Sequence, residues 1–367
     1  MTDKKTNQDG KPAKAIVNVA EELVQNLKKG KNPNFDVPIR ALSNVSFDAK
    51  KRTLVMGNKT SERYFFNSAH VRKFVQTLEV AKIAKTQLLD TGKHANLRDV
   101  FYQAKRTIKG TDINIVDDQP ESDKAIEDLE LLTGFTREQL HINAGKNGFV
   151  AGDVTIEDQG DTVNWGKLGS GGWAIPSNVE DIVFKKVNAK FIIYMEKEAV
   201  WERLHEDRFW QKHDCIIIAS KGQTTRGIRR LLQRLHKEHK LPIYVLTDLD
   251  SWGIYIYSVL KYGSIALAHM AEDSAIPGVK FLGITVDDIE KYGLQKYLIK
   301  VKDTDIARLK QVSEYEWFKD NKPWQRQFKK MRELKAKAEI QALSARGISF
   351  ISEKYLPEKI KNKDFLD

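Results

Sequence analysis

Three acidic residues stand directly after two short apolar runs. Glu196 follows Phe191–Met195, and Asp248 and Asp250 follow Ile243–Leu246. Runs this short suit central strands of a parallel sheet, which are apolar on both faces, and the acids then lie at the edge where open α/β sheets bind ligands. Three carboxylates repel one another unless a hard cation joins them, so the pattern predicts a site for one or two Mg²⁺ ions. The alternative is that the acids only cap helices or solvate loops.

A tyrosine surrounded by cations is the second feature that could do chemistry. Residues 96–108 have helical periodicity, and one stripe of the helix is apolar: Leu97, Val100, Phe101, Ala104 and Ile108. Tyr102 lies well away from that stripe and groups with Arg98, one turn earlier. An exposed tyrosine can stack on a base or on Arg98. It can also be a nucleophile, because nearby cations stabilise the phenolate and hold a scissile phosphate, for which Arg98 is the candidate clamp.

The charge of the chain favours a nucleic-acid partner. The 367 residues carry a net charge of +11 at neutral pH, and this length is enough for two domains with sizeable cores. We therefore expect a polyanionic partner such as a nucleic acid, contacted through its phosphates. The candidate DNA contacts follow Tyr102 or lie around the start of a second basic segment, and they are Lys105, Arg106, Lys109, Lys221 and Arg226.

Residues 225–240 have the pattern of an amphipathic helix that packs on an α/β sheet. We expect its N-terminus beside the acidic edge, where it could meet DNA phosphates. Its arginines are expected at outward or flanking positions: Arg226, Arg229, Arg230 and Arg234. His236 and His239 could bind zinc only with further Cys or His ligands nearby, so no zinc site is expected.

The composition also argues against several classes of protein. The single cysteine, Cys215, rules out an intrachain disulfide and lies in an apolar run, so we expect an intracellular chain with Cys215 in a core. No apolar stretch approaches the roughly eighteen residues that span a membrane, and no signal-peptide pattern begins the chain, which predicts a soluble, cytoplasmic, nucleoid-associated protein. No glycine motif for nucleotides occurs, so any ATP dependence needs a partner.

The elements divide the sequence into four predicted parts, which are 1–64, 65–165, 166–182 and 183–367. The first contains a polar tail over 1–14, an amphipathic helix and a β-hairpin-like arm. The second has short helices followed by strands near Phe149 and Val154, which fits a winged helix of the helix-turn-helix class. The third is Gly-rich and is interpreted as a linker that could also cradle phosphates. The last alternates strands and helices, as in an α/β domain with a mainly parallel sheet, and ends in a helical extension.

Five segments resemble a known family of DNA-cutting proteins. They are LRDVFY, YMEKEAVWERL, KGQTTRGIRRLLQRL, DLDSWGIYIYSVL and FLGITVDDIEKYG. Their order and spacing over residues 65–360 are similar to those of the A subunits of archaeal DNA topoisomerase VI and of the eukaryotic relative that makes meiotic double-strand breaks. The resemblance implies a CAP-like winged-helix domain with the nucleophile Tyr102 beside Arg98. It also implies a Toprim domain whose metal-binding acids are Glu196, Asp248 and Asp250.

The same resemblance implies a reaction and partners. Tyr102 would attack a DNA phosphodiester, form a 5′-phosphotyrosyl link and leave a 3′-hydroxyl that later reverses the step. A homodimer of A subunits would cut both strands, with the tyrosine of one protomer approaching the acids of its partner. Two ATPase B subunits would complete an A2B2 heterotetramer that relaxes supercoils and decatenates DNA. The chain departs from the family at Phe101, where many relatives have a second tyrosine, and at Ser251, where many have proline.

Two other functions are compatible with these residues. A Toprim-type, Mg²⁺-dependent nuclease or primase-like enzyme would use the same acids with water or a nucleotide hydroxyl as the nucleophile. A non-catalytic DNA-binding protein would use Tyr102 for stacking and the acids for structure. The three functions differ in whether cleavage occurs and whether it requires Tyr102 and Mg²⁺.

Overall fold

The computed structural model describes the backbone from Thr2 to Asp367 and the side chains from Gly10 onward. The helices are α1 (Thr2–Lys28), α2 (Val71–Ile83), α3 (Leu97–Ala104), α4 (Gln119–Thr133), α5 (Glu198–Glu206), α6 (Phe209–His213), α7 (Arg226–His239), α8 (Ser251–Tyr262), α9 (Val286–Lys291), α10 (Asp303–Ser313), α11 (Glu316–Lys319), α12 (Lys322–Leu334) and α13 (Leu356–Lys361). The strands are β1 (Asn34–Pro38), β2 (Val45–Asp48), β3 (Thr53–Met56), β4 (Thr60–Tyr64), β5 (Ala95–Asn96), β6 (Ile142–Asn143), β7 (Phe149–Ala151), β8 (Val154–Asp158), β9 (Asp161–Asn164), β10 (Trp173–Ala174), β11 (Val183–Val187), β12 (Phe191–Met195), β13 (Cys215–Ala219), β14 (Ile243–Leu246), β15 (Lys280–Gly283), β16 (Ile299–Lys300) and β17 (Ala336–Lys337).

The chain folds into two compact units. The first contains the chain up to Val45 and from Met56 to Gly145, and the second contains Ser46–Val55 and Lys146–Asp367. This division differs from the four predicted parts, because residues 146–182 belong to the second unit. Strand β10 lies inside the segment interpreted as a linker and pairs with β7, and Ile175 and Val179 of the same segment are buried. Residues 166–182 are therefore part of a folded unit.

Helix α1 extends over the predicted polar tail. The backbone is helical from Thr2, and farther along α1 the buried residues Ile16 and Leu23 belong to core clusters that contain Val80 and Phe74. The prediction of a tail over 1–14 is therefore wrong. A helix anchored by apolar residues can propagate into a polar segment, because each added residue gains a hydrogen bond, and such a segment shows no apolar periodicity.

The strands expected to form a wing belong to the second unit. β7 pairs with β13, and β8 pairs with β9 and β11 in a separate three-stranded sheet. The prediction that these strands form one domain with the helices of residues 65–145 is therefore wrong. Strand pairing depends on partners that come later in the chain, and a local apolar pattern does not identify those partners.

A six-stranded sheet supports the second unit, in the order β10-β7-β13-β12-β14-β15. The strands β13, β12, β14 and β15 run parallel to one another. At one edge, β7 pairs antiparallel with β13, and β10 pairs antiparallel with β7. In the register of the central strand, Ile192 lies opposite Ile216 and Ile243, and all three are buried. The prediction of central parallel strands is confirmed. Glu196 and Asp248 consequently follow neighbouring strands at the same carboxyl edge.

Cys215 and the C-terminal helices lie where the sequence predicts them. Cys215 is buried in β13, as its apolar run indicates. The C-terminal helical extension is present as α10 to α13, and Trp324 of α12 packs against Tyr257 of α8 with ring centroids 5.2 Å apart. Across the part of the chain that the structure describes, no helix combines the length and apolar character needed to cross a membrane.

Candidate active site

Helix α3 holds Tyr102 at the surface of the first unit. The helix begins with a capping box, in which Asn96 and Asp99 exchange hydrogen bonds of 2.9 and 3.1 Å. Its apolar face is buried, whereas the tyrosine is 59% exposed, as the periodicity predicts. The helix ends at Ala104 rather than at Ile108, which is exposed on the following segment.

Arg98 lies beside Tyr102 on the same face of α3. Its guanidinium carbon is 5.8 Å from the centroid of the tyrosine ring. The neighbouring guanidinium of Arg98, and then the charge of Lys105, hold the pKa of Tyr102 below its ordinary value. The phenolate therefore forms more easily than on an isolated tyrosine, which is the property that a phenolic nucleophile needs.

The predicted DNA contacts near the end of α3 differ in their partners. Arg106 forms an ion pair with Glu79 of α2. The Lys105 ammonium lies 5.5 Å from the ring centroid of Phe101, and both Lys105 and Lys109 are exposed. Lys105 and Lys109 present their charge to solvent, whereas the charge of Arg106 is partly neutralised.

Glu196 follows β12 and is partly buried. Its backbone N–H donates to the carbonyl oxygen of Leu246 at 3.3 Å, which joins the ends of β12 and β14. One carboxylate oxygen, Oε2, is buried and has no hydrogen-bond partner. Burial and then the negative charges of Asp248 and Asp250 raise the pKa of Glu196 to about 7. The nearby charge of Lys197 opposes this rise without cancelling it, and a divalent cation is one group that would supply further positive charge.

Asp248 has a partner on each carboxylate oxygen. Oδ1 accepts a hydrogen bond from the backbone N–H of Ile340 at 2.9 Å, and Oδ2 lies 2.7 Å from the ammonium group of Lys197. Burial raises the pKa of Asp248, and the bonds from Lys197 and Ile340 oppose that rise. These bonds compensate for the loss of water around a side chain that is almost fully buried.

Asp250 caps helix α8. Its Oδ1 accepts hydrogen bonds from the backbone N–H groups of Trp252 at 3.0 Å and Gly253 at 2.7 Å. A Cβ atom at Gly253 would lie 2.2 Å from the carbonyl oxygen of Asp248, so this tight exit from the strand requires glycine. Capping and metal binding are compatible, because both capping bonds use the same oxygen.

The acids suit a divalent cation chemically but are not gathered around one. Carboxylate oxygens are the ligands that Mg²⁺ prefers, and Oε2 of Glu196 has no competing hydrogen bond. Among the described side chains, however, no group of three or more His, Cys, Asp or Glu residues is placed to hold a metal ion. The expected trio is not preformed: Lys197 and Ile340 engage both oxygens of Asp248, and one oxygen of Asp250 caps α8.

Arg226, a predicted DNA contact, lies in a packed position at the start of α7. Its side chain is only 9% exposed, and Arg229, one turn later, is 3% exposed. The backbone of residue Pro176 approaches the helix so closely that a Cβ atom on Gly227 would lie 2.2 Å from its carbonyl oxygen. The prediction of outward positions for Arg226 and Arg229 is wrong, because a segment from an earlier part of the chain covers this face.

The later arginines of α7 are also bound within the protein. Arg230 pairs with Glu180, and Arg234 donates to the carbonyl oxygen of Ile182 at 2.9 Å. Lys221, in contrast, is exposed at the edge of the sheet, with its ammonium 3.2 Å from Glu198. The basic helix therefore stabilises its own unit, and Lys221 is the predicted contact of this region that faces solvent.

Sequence reasoning missed two groups of side chains in the second unit. Lys197 and Glu339 form an ion pair of 3.2 Å next to the acids. Trp252 is 46% exposed, and the guanidinium carbon of Arg308 lies 5.0 Å from its ring centroid. Lys197 offered a signal, since it follows Glu196 directly, but Glu339 and Arg308 come from distant segments and offered none.

Three protein-family models match successive parts of the chain. The first is described as "Type IIB DNA topoisomerase" and matches residues 72–142, and the second, "All-beta domain in DNA topoisomerase VI alpha subunit", matches 146–188. The third describes the Toprim domain shared by Spo11 proteins and the A subunits of topoisomerase 6, and it matches residues 191–360. The boundary between the first two matches agrees with the boundary between the two observed units.

Curated relatives match nearly the whole chain. The A subunit of type 2 DNA topoisomerase 6 from Pyrococcus abyssi is 44% identical over 97% of this chain and 95% of its own length. A protein of the same name from Pyrococcus horikoshii is 43% identical with the same coverage, and one from Methanocaldococcus jannaschii is 36% identical over 95% of this chain and 94% of its own. The similarity thus includes both units.

Proposed function

The chain belongs to the family of topoisomerase VI A subunits, which are type II DNA topoisomerases, and we propose that it cleaves and rejoins DNA through Tyr102. The observation that carries this proposal is the placement of Tyr102 on α3. It is exposed outside the core face, beside a guanidinium that lowers its pKa. A residue kept for packing would lie on the buried face instead.

The proposed cleavage step is a transesterification. The phenolic oxygen of Tyr102 forms a bond to the phosphorus of a DNA phosphodiester while the bond to the 3′-oxygen breaks. The phenolic proton leaves Tyr102 as the attack proceeds, and the departing oxygen becomes a 3′-hydroxyl. Arg98 stabilises the phenolate and binds the phosphate. The phosphotyrosyl link conserves the bond energy, so the 3′-hydroxyl reseals the strand without ATP.

The acids of the second unit are proposed to hold one or two Mg²⁺ ions. Glu196, Asp248 and Asp250 would bind them through their carboxylates, and the buried Oε2 of Glu196 supports this assignment. The bound cation would stabilise negative charge on the phosphate and the 3′-oxygen. Lys105, Lys109 and Lys221 would contribute phosphate contacts that position the duplex.

We propose a homodimer that assembles further with B subunits, on the basis of the chemistry of strand cleavage and of family membership. One tyrosine cuts one strand, so a double-strand break requires two chains, and a two-fold symmetric homodimer supplies them. The helical first unit, which carries Tyr102, is proposed to be a CAP-like winged-helix domain. An ATPase B subunit would complete an A2B2 assembly that passes a second duplex through the break, relaxing and decatenating DNA.

A trapping experiment tests this function directly. The chain is incubated with an ATPase B subunit of the family, Mg²⁺ and an end-labelled duplex, and the mixture is then denatured. We expect protein covalently attached to 5′ ends. Cleaved DNA without any adduct would contradict the proposal and indicate a nuclease that activates water.

Removing the charge of Arg98 is expected to shift the pH dependence of cleavage. Arg98 lowers the pKa of Tyr102, so Arg98→Met should raise that pKa and move the rise of the cleavage rate to higher pH. At neutral pH we expect a loss of about ten- to a hundredfold in adduct formation. Arg98→Lys keeps a positive charge and should shift the profile less. An Arg98→Met profile that keeps its wild-type position would show that Arg98 does not act through the tyrosine.

DNA binding at the acidic edge should be visible in the fluorescence of Trp252. All seven tryptophans lie in the described part of the chain, and Trp252, next to the α8 cap, is the one that is largely exposed. We expect a bound duplex to protect this indole from acrylamide and to change its emission. Trp252→Phe should remove the change while fluorescence anisotropy of labelled DNA still reports binding. Saturating DNA that leaves acrylamide quenching unaltered would place the duplex elsewhere.

A further inference from the structure

Lys197 occupies a position among the acids that the proposed function does not use. Its ammonium group lies 2.7 Å from Oδ2 of Asp248, 3.2 Å from the carboxylate of Glu339 and 3.0 Å from Oε1 of Gln341. The side chain is 24% exposed, so much of its surface is shielded from water. Lys197 is therefore a fixed internal cation beside Asp248.

The partners of Lys197 are held in place by backbone pairing. Leu249 and Ala338 exchange main-chain hydrogen bonds of 2.8 and 3.2 Å, which brings residues 338–341 beside the loop after β14. The N–H of Ile340 then donates to Oδ1 of Asp248 at 2.9 Å. Asp248 is thus engaged on both oxygens, and Oδ2, the oxygen without a backbone bond, is engaged by the ammonium group.

An ammonium at this distance obstructs a divalent cation in two ways. It occupies one lone pair of Oδ2, and its charge repels a second cation at the same carboxylate. Among the described residues, no group of three acids is placed to hold a metal while Lys197 engages Asp248. Leaving Asp248 would not strand the lysine, because Glu339 and Gln341 already contact it.

We infer that Lys197 is a built-in counter-ion of the acidic edge, and that Mg²⁺ binds by displacing its ammonium group from Asp248. The inference rests on the proposed function, since it takes Asp248 as a metal ligand. Without metal, Lys197 keeps the buried carboxylate paired and in place. With metal, the ammonium remains with Glu339 and Gln341. Lys197 thereby weakens metal binding and, in the absence of metal, stabilises the buried carboxylate of Asp248.

The inference is tested by whether Lys197→Met binds Mg²⁺ more tightly or more weakly than wild type. Lys197→Met keeps a long apolar stem and removes the charge, and we expect it to bind Mg²⁺ about three- to tenfold more tightly in calorimetry of the full chain. Lys197→Arg retains the charge and should keep the weak affinity. Lys190→Met is the matched control, because it removes a 2.8 Å ion pair with Asp214 before β12 and should leave the affinity unchanged.

Thermal unfolding supplies a second readout that does not depend on DNA cleavage. In EDTA, Lys197→Met should unfold at a lower temperature than wild type, because Asp248 loses its partner. Addition of Mg²⁺ should then raise its unfolding temperature more than that of wild type. Should the variant fold poorly without metal, recovery of wild-type unfolding temperature in Mg²⁺ would still support displacement.

The outcomes separate the inference from the function on which it rests. An Lys197→Met affinity equal to or weaker than that of wild type would overturn the inference, since Lys197 would then be neutral or would position Asp248 for the metal. Wild-type protein that binds no Mg²⁺ at any concentration tested would overturn the proposed metal site together with the inference. Tighter binding by Lys197→Met that Asp248→Asn abolishes would support both.

Discussion

Tyr102→Phe is expected to abolish DNA cleavage and the covalent adduct while leaving the fold and DNA affinity almost unchanged. The substitution removes only the phenolic oxygen, and that oxygen is the atom proposed to bond to phosphorus. Because the side chain is 59% exposed, the unfolding temperature should stay within error of wild type. Loss of the nucleophile should reduce adduct formation by roughly a thousandfold or more. Gel analysis of end-labelled duplex after denaturation measures both cleavage and attachment.

The control for this variant is Tyr297→Phe. Tyr297 lies in the second unit and is 48% exposed, so the same hydroxyl is removed from a comparably exposed tyrosine outside the proposed site. We expect wild-type cleavage from it. Persistent strand cleavage by Tyr102→Phe without an adduct would reject the transesterification and favour water as the nucleophile.

Glu196→Gln is expected to abolish Mg²⁺-dependent cleavage and, in the absence of metal, to stabilise the protein. Glutamine keeps the size of the side chain but removes the negative charge that would bind the cation, so cleavage should fall by at least about a hundredfold. The stabilisation follows from burial, since the charged form of Glu196 is disfavoured by its surroundings and by Asp248 and Asp250. Cleavage assays and chemical unfolding in EDTA measure the two effects separately.

The stabilisation by Glu196→Gln should depend on pH in a defined direction. The pKa of Glu196 rises from 4.5 to about 7 on folding, so protonation favours the folded state. That contribution is complete below 4.5 and is lost as the pH rises through about 7. Near pH 4.5, the variant should therefore have the same free energy of unfolding as wild type. At pH ~8, its free energy of unfolding should be higher than that of wild type by on the order of 3 kcal/mol.

Glu198→Gln is the matched control for both effects. Glu198 lies two positions farther along the chain, its side chain is 37% exposed, and it pairs with exposed Lys221 at 3.2 Å. We expect little change in metal-dependent cleavage and no pH-dependent gain in stability. An equal gain for Glu196→Gln at acidic and alkaline pH would mean that removal of the buried charge is not its cause.

Local pattern was sufficient for the elements that carry the proposed chemistry. The apolar runs before Glu196 and Asp248 were long enough for strands, too short for helices and too apolar for an exposed face, and they form β12 and β14. The position of Tyr102 followed from helical geometry, because its direction lies well away from the centre of the apolar stripe of α3. Each of these inferences depends on adjacent residues alone.

The predictions from sequence that proved wrong share one physical cause, which is contact between segments distant in the chain. The polar start of α1 carries no periodic apolar signal, yet it continues a helix whose later turns reach the core. The strands near Phe149 and Val154 looked like a wing, but β7 found its partner in β13, and the covering of α7 by the segment around Pro176 buried Arg226. A sequence pattern does not state which later segment will pair with a strand or cover a helix.

The sequence established which groups are present at the acidic edge, and the tertiary structure established how their charges are balanced. That Glu196, Asp248 and Asp250 stand at strand ends follows from hydrophobic patterning along the chain. That Oε2 of Glu196 is left without a partner, while Asp248 is held by Lys197 and by Ile340, follows from backbone pairing between residues far apart in the chain. Electrostatic interactions act through space, so the ionisation and metal affinity of these acids depend on contacts that sequence spacing does not record.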